Sequence, residues 1–81
     1  MFEKLKTSLK LRKYKETHSG DLSKVELQEA FGYKFIGVMN VNYEKDSTRY
    51  IVTKQTNDGL VVFSVVRTKT LWRFIPIQLI K

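Results

Sequence analysis

The chain contains one histidine, His18, set beside Ser19 and Asp21. Serine, histidine and aspartate are the parts of a nucleophilic triad, but a triad is a spatial constellation that sequence neighbours rarely form. His18 therefore reads as a surface histidine in a turn. Glu26 and Glu29 lie three apart on a helical pattern. Paired carboxylates do acid–base chemistry when buried beside a cleft, whereas these read as helix-start and solvent charges. The glycines at 20, 32, 37 and 59 are dispersed, so no phosphate-cradling loop is present. With no cysteine, disulfides and thiolate zinc sites are excluded. These residues point away from an enzyme and call for no cofactor or metal.

Cationic chemistry remains. Lys10, Arg12, Lys13 and Lys15 form one basic cluster, with Tyr14 inside it; Arg67, Lys69 and Arg73 form a second, with Trp72 beside Arg73. Cations interleaved with aromatic rings suit nucleic acids, because phosphates take the charge and bases stack on rings. On this reading the seven cations carry the binding, and Tyr14 and Trp72 are the candidate stacking residues. The opposing reading places Trp72 and Phe74 in a core, with Arg73 pointing outward between them.

The net charge is +7, unevenly placed. Residues 1–18 carry six cations against two anions (+4), residues 19–47 three against five (−2), and residues 48–81 six against one (+5). A basic–acidic–basic layout suits a polyanion contacted from two segments. Surface lysines that serve only solubility would give the same total.

These clusters need a scaffold, and its centre is the stretch of residues 49–67. Two β-branched, aromatic-rich runs flank Asp58-Gly59, a strong hairpin signal. Residues 60–66 are apolar at every position except Ser64, which predicts a central strand covered on both faces. The register has two solutions. A two-residue Asp58-Gly59 turn pairs Val52 with Val65 and Lys54 with Phe63. A three-residue Asn57-Asp58-Gly59 loop pairs Ile51 with Val65 and Thr53 with Phe63, and keeps Lys54 from being buried beside Phe63.

Residues 1–19 are a basic segment with two readings. Phe2, Leu5 and Leu9 share a helical face, while alternation from Leu9 favours a strand over residues 8–15; a continuous helix to Glu16 competes. The composition of His18-Ser19-Gly20 is that of a turn. Residues 21–32 form the strongest helix pattern. Ser23 and Glu26 make a capping box, Leu27, Ala30 and Phe31 a buried face, and Gly32 a left-handed cap. Residues 33–81 read as a β-meander, with a bulge or bend at Gly37 and a last strand that Pro76 forces to an edge or interrupts.

Eighty-one residues make one domain. The expected class is α+β: a small antiparallel β-sheet or an SH3/OB-like small barrel of four to five strands, with one short helix. The expected function is a non-catalytic basic module that binds DNA or RNA mainly through phosphates. The alternative is an accessory or inhibitor module that docks on an acidic protein surface, as a phage-like composition would suit, with a homo-oligomer built on a free sheet edge. Membrane attachment through Phe2, Leu5 and Leu9 is the weakest reading, since that face is only two turns long and no apolar run approaches ~20 residues. Absence of cysteine favours the cytoplasm.

Overall fold

The computed structural model describes residues 11–39 and 47–81. Leu11 and Arg12 are helical, and the amides of Tyr14 and Lys15 donate to the carbonyls of Leu11 and Arg12 at 2.9 and 3.2 Å. Strand β1 (Glu16–Ser19) follows, then helix α1 (Lys24–Phe31), β2 (Lys34–Met39), β3 (Thr48–Thr56), β4 (Gly59–Arg67) and β5 (Leu71–Ile80). This corrects both N-terminal readings where they can be compared. Residues 11–15 are a helical end and a turn, and the strand begins only at Glu16. The reason is the three-residue spacing of Leu11 and Tyr14, which lets both side chains pack on the core from one turn. Lys10 and the apolar set Phe2, Leu5 and Leu9 lie outside the described residues, as do residues 40–43 of the expected second strand.

All five strands form one antiparallel sheet in the order β1-β5-β4-β3-β2. β1 and β2 are its two edges and do not pair, so the sheet is open and not a closed barrel. The segment carrying α1 runs from one edge strand to the other and lays Leu27 on the intervening face. Tyr50 and Val52 from β3, Val61, Phe63 and Val65 from β4, and Trp72 and Phe74 from β5 line that face, joined by Leu11, Leu27 and Tyr33. β4 is the middle strand, and its core-facing Val61, Phe63 and Val65 have no exposed surface. Only one face carries the helix, but Ser64 and Val66 are buried on the other as well.

The hairpin takes neither register foreseen. Its turn is Asn57-Asp58, with Thr56 opposite Gly59, Lys54 opposite Val61, Val52 opposite Phe63 and Tyr50 opposite Val65. The Thr56 hydroxyl holds it, accepting from the Asp58 amide at 3.1 Å and donating to the Gly59 carbonyl at 2.8 Å. Lys54 thus lies on the core face, the placement that the three-residue loop avoided. Its long stem resolves the conflict, carrying Nζ over the Tyr33 ring (4.8 Å from the centroid) and to 3.7 Å from Glu16 Oε1.

Local signals fared better. The Ser23 hydroxyl accepts the Glu26 amide at 3.1 Å, and Gly32, at φ 76°, caps α1 by donating its amide to the Gln28 carbonyl. Of the expected helix face only Leu27 is buried. Ala30 is exposed, and Phe31 packs instead on the His18 ring, 4.5 Å between centroids. The β2–β3 register slips between Phe35 and Gly37, so the bulge lies where the glycine foretold it. β1 pairs only with Leu71–Phe74, which leaves Pro76 on the free stretch of β5, and the ladder with β4 slips next to it.

Candidate nucleic-acid interface

Strand alternation splits the second basic cluster. Arg67 and Trp72 are opposite each other in the β4–β5 ladder, and the Arg67 guanidinium lies 4.6 Å from the indole centroid. Arg73, one residue on, points from the other face of the sheet and is exposed. Lys69 sits exposed in the β4–β5 turn. Trp72 itself has no exposed surface. Its Nε1 donates to the Leu22 carbonyl at 2.8 Å, and its ring stacks on Tyr50 at 5.6 Å. With one face against Tyr50 and a guanidinium over the ring, Trp72 offers no platform to a base. It is a core residue.

The first cluster is divided too. Lys13 Nζ is 2.7 Å from Asp58 Oδ2 at the hairpin turn, and the Tyr14 hydroxyl donates to the same oxygen. The Asp58 contact raises the Lys13 pKa. Lys13 and Tyr14 therefore fasten the N-terminal turn to the hairpin, and Tyr14, half-buried with Lys13 Nζ 5.2 Å from its ring centroid, is held as packing. Arg12 and Lys15 are exposed, and with Leu11, Ile75, Pro76 and Ile77 they line a groove of about 410 Å³ along the free stretch of β5.

A cation that the sequence clusters omitted joins these. Arg49 on β3 and Arg73 on β5 are both opposite Val66 of β4, one from each side. With Ile75 they line a second recess, of about 170 Å³. Ile75 borders both cavities, so Lys15, Arg12, Arg73 and Arg49 form one band from the sheet edge across the face opposite α1. Among the described residues none of the four is in a salt bridge. Arg49 was invisible in sequence because its neighbours in space come from two other strands.

On the core face the cations are already engaged. Lys24 lies over Tyr50 (4.9 Å), Lys54 over Tyr33 and Arg67 over Trp72. His18 is not a plain surface residue. It is largely enclosed by Phe31, Tyr33 and Phe74, with Nε2 2.9 Å from Glu16 Oε2. Burial alone would raise the Glu16 pKa, but Tyr33, His18 and Lys54 outweigh it and hold the carboxyl below its usual range. Burial, reinforced by Glu16, pushes the Tyr33 hydroxyl far above its ordinary value. No group of three or more His, Cys, Asp or Glu side chains among the described residues could hold a metal ion. No helix there is long and apolar enough to cross a membrane.

No protein-family model, curated protein or solved structure matches this chain.

Proposed function

We propose that the chain is a small, non-catalytic, cytoplasmic module that binds nucleic acid through phosphate contacts along the band formed by Arg12, Lys15, Arg49 and Arg73. The observation that carries this reading is the continuity of the band: four cations with no acidic partner among the described residues border two cavities that share Ile75. A like-charged row on one sheet face is unfavourable without a counter-ion, and a polyanion supplies one along its length. Base stacking is no part of this reading: Trp72 is fully buried between Tyr50 and Arg67, and Tyr14 is half-buried and held to Asp58. Recognition then rests on phosphate geometry, and binding is expected to be nearly indifferent to sequence.

The alternative is docking on an acidic protein surface, alone or as a homo-oligomer. It is favoured by exposed apolar side chains on the β2 edge and the free stretch of β5: Ile36 and Val38 on β2 are 57% and 63% exposed, and Ile77 on β5 is 52% exposed. Fluorescence anisotropy with mixed-sequence DNA and RNA at ~50 mM salt, where even non-specific contacts are strong, separates the two. Binding is expected, and Arg12→Ala with Lys15→Ala should weaken it alike for all sequences. A flat anisotropy trace for every nucleic acid would overturn the phosphate reading and leave the edge-docking one.

A further inference from the structure

We propose that the recess between Arg49 and Arg73 is an oxyanion site that takes one phosphoryl group between two guanidinium forks. The two arginines flank Val66 in adjacent ladders, so their Cα atoms are two strand spacings apart, roughly 9–10 Å. From there both side chains line one cavity, walled by Ile75 and floored by Val66, which is 8% exposed. Arg49 Nε is buried and, among the described residues, has no hydrogen-bond partner. A charged donor left unmatched in a buried position is costly, and two cations sharing an apolar floor add repulsion to that cost. An anion with several acceptor oxygens relieves both at once. Guanidinium presents parallel N–H donors that match the edge of a phosphoryl group, an arrangement that a single point charge does not reproduce.

Free phosphate, a terminal phosphate monoester and a backbone phosphodiester share this chemistry. Only the identification of the source as nucleic acid rests on the function proposed above; the recess does not. The test follows the Arg49 Nε–Hε resonance of ¹⁵N-labelled protein during titration with inorganic phosphate near neutral pH, with ionic strength held constant by sodium chloride. A saturable shift is expected, with acetate binding more weakly. Arg73→Ala, at an exposed position, should weaken phosphate binding about tenfold or more, the loss of one charged contact. Arg73→Lys, which keeps the charge but not the fork, should fall between.

An unmoved resonance, an equal response to acetate, or an undiminished response in Arg73→Ala each overturns the site. Competition against bound phosphate by one oligonucleotide, with and without a 5′-phosphate, then identifies the source. Equal competition by both supports a backbone phosphodiester; competition by the phosphorylated form alone supports a terminal monoester. If phosphate binds and neither oligonucleotide competes, the oxyanion site stands and the nucleic-acid function fails.

Discussion

Arg67 and Arg73 lie on opposite faces of one sheet and serve different ends. Arg67 covers the Trp72 ring, so Arg67→Ala should lower stability by ~0.5–1 kcal/mol and leave nucleic-acid affinity nearly unchanged. Arg73, exposed beside Ile75, should show the reverse: an unshifted thermal midpoint and weaker binding. Chemical denaturation and anisotropy on the two variants check both halves, and matching behaviour would return the arginines to a single cluster. Trp72→Ala removes a fully buried ring and should cost about 3–5 kcal/mol, enough to abolish the cooperative transition of a small domain. Some of the proposed band was legible from residue type alone. Cations near one another in sequence marked Arg12, Lys15 and Arg73, but the same rule included Lys13, which Asp58 engages. It missed Arg49, because membership there depends on the register of three strands and not on any neighbour in the chain.

At the scale of elements, what could be read was what is decided locally. The Ser23 cap, the Gly32 left-handed end, the Gly37 bulge and the edge position of Pro76 each follow from backbone constraints within a few residues. The hairpin register was not local. Avoiding Lys54 on the core face ignored the Glu16 carboxylate and Tyr33 ring that wait for it across the sheet. The turn glycines now separate. Gly32→Asn should be tolerated, since φ 76° suits Asn and no heavy atom stands within 4 Å of the added Cβ. At Gly59, φ 127° lies beyond the left-handed well and a Cβ would come within 2.6 Å of the Ile80 carbonyl oxygen, so Asn and Val should both lower the thermal midpoint. β1 depends on the Glu16 cluster in a pH-dependent way. Because the Glu16 pKa is lowered by folding, its contribution is full above the ordinary carboxylate value of 4.5 and is lost as pH falls through the folded value. The raised Tyr33 pKa acts in the opposite sense: its contribution is full below the ordinary 10.0 and is lost as pH rises. Glu16→Gln should therefore lower the urea midpoint at neutral pH and by less as the pH drops below the carboxylate range. An unchanging deficit would remove the ion-pair account.

For the whole molecule, the question is how much of the +7 charge is available to a partner. The fold divides its cations. Lys24, Lys54 and Arg67 lie over rings of the core, and Lys13 pairs with Asp58, whereas Arg12, Lys15, Arg49 and Arg73 border the two contiguous cavities. With Arg49 and Arg73 sharing one phosphoryl group and Arg12 and Lys15 taking one each, the band neutralises three phosphates of a bound polyanion and releases their condensed counterions. The band should then contribute about −2.7 to the slope of log affinity against log salt for duplex DNA and about −2.1 for single strands, from roughly 0.9 and 0.7 per contact. That is much shallower than a chain with fifteen lysines and arginines would give if all of them took part. Arg12→Ala and Lys15→Ala should each flatten the duplex slope by about 0.9, while Lys24→Ala should leave it unchanged. Anisotropy titrations at several salt concentrations measure all four slopes. An equal change in Lys24→Ala would mean that the ring-bound cations leave their aromatic faces to bind, and that charge in this fold is not divided by face.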